Sequence, residues 1–99
     1  MVWDMPEIEI ISEQEQGTSW LFDVCVTDDQ GQRYTFDVTL SWSDYDHWSH
    51  GRKAPERVVE AAFEFLVERE PASAILSKFD CAIIRRYFSE VDRELPKMI

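Results

Sequence analysis

Two runs in the first half of the chain alternate apolar and polar residues with a period of two. In 20–27, Trp20, Phe22, Val24 and Val26 fall on one side, with Leu21, Asp23, Cys25 and Thr27 on the other. In 33–42, Tyr34, Phe36, Val38, Leu40 and Trp42 alternate with Arg33, Thr35, Asp37, Thr39 and Ser41. That period, carried by β-branched and aromatic side chains, is the mark of strands half-buried in a sheet. A weaker alternation over 7–13 predicts a first strand with Ile8 and Ile10 turned inward.

The residues between these runs suggest a register. Asp28, Asp29, Gln30 and Gly31 mark a tight turn between the second and third strands. Keeping the inward residues on one face requires an odd loop, and a three-residue loop with Gly31 in the left-handed conformation supplies it. Gln14, Glu15, Gln16 and Gly17 offer the same chemistry to the first hairpin. Applied twice, this loop sets Val24 opposite Ile8 and Phe36 on the inner face. It sets Asp23 opposite Glu9 and Asp37 on the outer face, with Ile11 opposite Leu21 nearby.

The second half changes to helical spacing. Pro55 suits a first helical position and Pro71 closes a helix over 56–70. Its glutamates at 60, 64 and 68 form a narrow stripe, and apolar residues cover most of the rest. That arc is wider than one amphipathic face needs. A short helical turn is expected around 72–77. Asp80 then caps a last helix over 81–94, ended by Pro96, with Ile84, Phe88, Val91 and Leu95 as its core stripe and Arg86 and Glu90 as an exposed i, i+4 pair.

The expected architecture is a single α+β domain spanning 1–99. A three-stranded antiparallel meander sheet (β-β-β-α-α) occupies 7–42, a loop follows at 43–54, and the helical half fills 55–95. Two helices cover one face of the sheet and the other face stays open.

Charge sharpens this picture. The 99 residues carry a formal net charge of −10. Residues 1–50 hold eleven acids and one base, Arg33, whereas 51–99 hold nine of each, so the whole imbalance lies in the first half of the chain. Such a balance repels a nucleic-acid backbone and an anionic membrane, and disfavours both as direct partners. No apolar run approaches the length of a membrane span, and the opening residues lack the basic start and apolar stretch of a signal peptide. With Cys25 and Cys81 far apart and without metal spacing, the expectation is a cytoplasmic protein with reduced thiols. Three glycines in all leave no phosphate-cradling loop, and no cofactor is expected.

Two groups could carry chemistry. The first is the carboxylate row Glu9, Asp23 and Asp37, with Ile11 and Leu21 beside it. Opposed like charges cost stability, and a row kept despite that cost suits a basic protein surface. The second is the loop with Asp44, Asp46, His47 and His50, a donor set able to bind a transition metal or supply a general base to a small hydrolase. Its spacing matches no established metal motif. Catalysis has little else to rest on, so the main expectation is a non-catalytic module that binds a basic protein. The Asp/His loop is the alternative. A homodimer or larger homo-oligomer, built on the wide apolar arc of 56–70 and on Ile11 and Leu21, is a third.

Overall fold

The computed structural model describes residues 6–99, so the expectation about the opening residues falls largely outside it. Three nine-residue strands come first: β1 (Glu7–Glu15), β2 (Ser19–Thr27) and β3 (Arg33–Ser41). They pair antiparallel in chain order, and a short β4 (Lys78–Asp80) adds to β3 in parallel. Four helices are interspersed: α1 (Trp42–Ser49), α2 (Pro55–Val67), α3 (Ile84–Tyr87) and α4 (Val91–Met98). Single 3-10 turns lie at Ala72–Ala74 and Cys81–Ile83. The fold is therefore α+β as expected, with one strand and two helices more than the alternation of residues revealed. No helix among the described residues is long and apolar enough to cross a membrane.

The β2–β3 hairpin has the expected loop. Asp28 N–H donates to the Gln32 carbonyl at 2.9 Å, Gly31 N–H to Asp28 at 3.0 Å, and Gly31 takes a φ of 80°. The Asp28 carboxylate accepts from the amides of Gln30 and Gln32, which pins the turn from inside. Asp23 accordingly lies opposite Asp37, and Val24 opposite Phe36.

The β1–β2 hairpin differs from expectation in two places that nearly cancel. Its loop has two residues, Gly17 and Thr18, closed by Gln16 N–H to Ser19 carbonyl at 2.7 Å. Gly17 takes the positive φ, 81°, that the reversal demands. An even loop would turn Ile8 and Ile10 to solvent, but a bulge between Ile10 and Ser12 inserts one unpaired residue and restores their inward aim. The net result is a slide of two positions. Ile10 faces Val24, Ile8 faces Val26, and Glu9 faces Cys25 instead of Asp23.

The core lies between the sheet and α2. Trp20, Phe22, Val24 and Val26 from β2 and Phe36, Val38 and Leu40 from β3 are buried against Val58, Val59, Ala61, Ala62, Phe63, Phe65 and Leu66. The Phe63 ring packs 5.2 Å from that of Phe36 and 5.9 Å from that of Phe79. The apolar arc of α2 is thus buried within one chain, against β1, against β3 through Phe36, and against α1 and α4.

The segment at 43–54, expected as a loop, mostly forms α1. Ser41 caps it by accepting the Asp44 N–H at 3.1 Å, and His50 ends it in the left-handed conformation with its N–H on the Asp46 carbonyl. The predicted last helix is also broken. Asp80 does cap its start, accepting from Ala82 N–H at 3.0 Å, but Phe88 leaves the helix at φ −137°. The chain re-enters as α4, which holds Pro96 in its last turn instead of ending before it. The break removes the i, i+4 geometry of Arg86 and Glu90, and Glu90 pairs with Arg69 at 3.2 Å. Ile84, Val91 and Leu95 remain fully buried across the break.

Candidate functional site

The sheet face turned away from α2 is open, and period-two alternation decides what it shows. β2 and β3 present Leu21, Asp23, Cys25, Thr35, Asp37 and Thr39 outward. Asp23 and Asp37 face each other directly and both are exposed. Ser12 donates a hydrogen bond to Asp23 at 2.8 Å, and Lys78 of β4 lies beside Asp37 on the other flank. The row therefore reads Ser12, Asp23, Asp37, Lys78. Its two carboxyls share one site: Asp37 is pushed up by Asp23, and Asp23 is pulled down by its hydrogen-bonding to Asp37 and Ser12.

Glu9 belongs to the neighbouring row, opposite Cys25 and Thr35. The expected three-carboxylate row is thus a pair plus one acid a step away, because the Ile11 bulge and the two-residue loop shift β1. The same shift separates Ile11 from Leu21, whose β1 partner is Gln14. Ile11 is the bulged residue, 53% exposed. The face is also less uniformly acidic than the sequence total suggests. Arg33 sits near Glu7 and Glu9 and lays its Nε 3.3 Å from the Cys25 sulfur, which is why Cys25 is buried on an otherwise open face.

The Asp/His segment serves a different purpose. Helix α1 sends Asp44 inward, where it is largely buried and accepts from Arg85 Nη2 at 2.8 Å. The same guanidinium grips Asp92 of α4, Nε to Oδ2 at 2.8 Å and Nη2 to Oδ1 at 2.9 Å. Trp48 Nε1 donates to Asp92 at 2.8 Å, His47 Nε2 lies 3.4 Å from it, and the Arg85 guanidinium sits 5.3 Å from the centre of the Trp48 ring. This network bolts α1 to α3 and α4. Arg85 and the Trp48 hydrogen bond hold the Asp92 carboxyl down at about 2, against the desolvation that opposes them. An anion already engaged by three donors and ionised to so low a pH has little basicity to offer near neutrality.

Asp46 and His50 are exposed. Asp44 and His47 turn to separate partners, Arg85 and Asp92. Among the described residues, no group of three or more His, Cys, Asp or Glu is arranged to hold a metal ion.

No protein-family model, curated protein or solved structure gives a significant match to this chain. The site therefore rests on its own geometry. Sequence reasoning did not anticipate Lys78, Arg85 or Asp92 as partners of the acids. Lys78 sits in a strand too short to show a period, the Arg85 contact with Asp44 joins residues 41 positions apart, and the one with Asp92 crosses the break between α3 and α4. Helix α1 did carry a local signal, the Ser41-x-x-Asp44 spacing of a helix start ahead of Tyr45 and Trp48.

Proposed function

We propose that the chain is a small non-catalytic binding module that meets a basic protein surface through its open sheet face. Asp23 and Asp37 form the centre, Glu9 flanks them, and Ile11 and Leu21 add apolar area at the side. In this reading it works in the cytoplasm, where its unpaired Cys25 and Cys81 stay reduced.

The supporting observation is the opposed, exposed pair Asp23 and Asp37, one carboxyl raised by the other. A lysine or arginine placed over the pair relieves their repulsion, and a neutral or acidic partner does not. Arg33 and Lys78 on the same face add specificity, since a partner must bring its cations to the acids and keep them from these two.

The test is capture from a lysate with the full chain as bait, at low and high salt. Wild type runs beside a triple variant, Glu9→Gln, Asp23→Asn and Asp37→Asn, which removes charge with little change of shape. The expected outcome is a basic protein retained by wild type, released by salt and missing from the variant. If both baits retain the same proteins, or neither retains any, the sheet face is not the contact surface.

A further inference from the structure

Away from the sheet face, the end of α2, the turn at Ala72–Ala74, β4 and α3 enclose an open apolar groove of about 130 Å3. Leu66, Ile75, Phe79 and Ile84 form its floor and walls. Leu76 and Tyr87 line it while 48% and 65% exposed, so two of the large apolar side chains that this chain leaves in water stand at one groove. Apolar side chains gathered this way mark binding surfaces more often than ones scattered singly.

The groove has one charged lining residue, Glu70. Among the described residues Glu70 makes no ion pair and no side-chain hydrogen bond, and partial burial pushes its carboxyl up. Glu70 also lines a second cleft, of about 380 Å3, together with Asp28, Asp29, Glu68 and the ring of Tyr34. No lysine or arginine among the described residues lines either cleft. The two clefts therefore share Glu70 as a common wall, with an apolar groove on one side of it and an acidic hollow on the other.

We infer that this groove docks a segment of another protein that carries an aliphatic or aromatic anchor next to lysine or arginine. The anchor fills the apolar groove between Leu76 and Tyr87. The flanking cation reaches Glu70 and the hollow beyond it, where four carboxylates and an aromatic face suit a guanidinium or ammonium group. An acidic segment is repelled at the hollow, and a basic segment without an anchor leaves Leu76 and Tyr87 in water. This surface shares no residue with the open sheet face, so the two contacts fail independently.

The probe is a blocked synthetic hexapeptide with a central Leu-Phe pair and two lysines on each side. Its controls replace the lysines by glutamates, or the Leu-Phe pair by serines. Each is titrated into the isotope-labelled full chain, and amide shifts are followed residue by residue. The expected result is saturable shifts at Leu66, Glu70, Ile75, Leu76 and Tyr87 with the lysine peptide alone. Glu70→Gln should weaken that binding about tenfold, the scale of one charge-assisted hydrogen bond. Leu76→Ser and Tyr87→Ser should abolish it, and both side chains are exposed enough for the variants to fold.

Four results overturn the inference. They are no shifts in the groove, equal binding of the glutamate peptide, shifts confined to the sheet face, and concentration-dependent shifts of the same residues without peptide. The last would mean that a second copy of the chain covers the groove.

Discussion

Asp92 offers a quantitative test of how the helical half is held. Its carboxyl is pulled from an ordinary 3.8 to about 2, chiefly by Arg85 and also by the Trp48 indole. At about 1.4 kcal/mol per pKa unit this corresponds to roughly 2.5 kcal/mol of stability. The side chain is 37% exposed. Solvent screening therefore reduces the expected effect to about 1–1.5 kcal/mol. The folded value lies below the unfolded one, so the contribution is fully present above the unfolded value and is lost as pH falls toward 2. About half should be gone by pH 3. Asp92→Asn removes the charge and keeps an oxygen for the Trp48 N–H. Urea unfolding of both proteins, followed by tryptophan fluorescence, should show the variant less stable by about 1–1.5 kcal/mol at pH 7 and by about half that at pH 3. Carboxylates present in both proteins cancel in the difference. A gap that is the same at both pH values, or absent at pH 7, would refute a charge-based role for Asp92.

Three further outcomes are expected. Arg33→Ala should expose the Cys25 thiol, so a disulfide reagent should titrate one thiol quickly in the variant and slowly in wild type; equal rates would show that Arg33 does not shield it. Asp37→Asn should raise the melting temperature near neutral pH, because the facing Asp23 raises Asp37 by more than the neighbouring Lys78 lowers it. That advantage should vanish once acid protonates the wild-type carboxyl, and a lower melting temperature at pH 7 would contradict the repulsion. Phe63→Ala should cost about 3–5 kcal/mol in urea unfolding, because its fully buried ring packs on Phe36 and Phe79. A loss under about 1 kcal/mol would mean that the core closes over the space.

The parts of the fold legible in the sequence are those decided within a few residues. Gly31 and Asp28 specify their own turn, and with it the pairing of Asp23 with Asp37. Inward Ile8 and Ile10 were legible too, although the route to them was not: alternation records which face a residue takes, but not how far its strand has slid. That slide moved Glu9 out of the Asp23 row and Ile11 away from Leu21. Helix α1 had only its Ser41-x-x-Asp44 start to mark it, because Asp44, Asp46 and His47 read as loop polarity until Arg85 supplies Asp44 with a buried partner from 41 residues away. The two-part last helix was hidden because Ile84, Val91 and Leu95 keep helical spacing through a break at Phe88. Leu76, Tyr87 and Glu70, in turn, meet only when α2, β4 and α3 are assembled.

The bulge gives β1 one residue more than its ladder with β2 uses. Deleting Ile11 alone would leave Ser12 opposite Asp23 and Ile10 opposite Val24, a regular ladder with both isoleucines still inward. Deleting Glu9 instead would carry Ile8 from Val26 to Cys25 and turn it to the open face. A residue added between Gly17 and Thr18 would enlarge the loop outside the Gln16–Ser19 closure and leave the pairs beyond it in place. Changes in the length of this hairpin should therefore be tolerated at the bulge and the turn, and harmful between Ile8 and Ile10, so that the strand carries its own slack at one point.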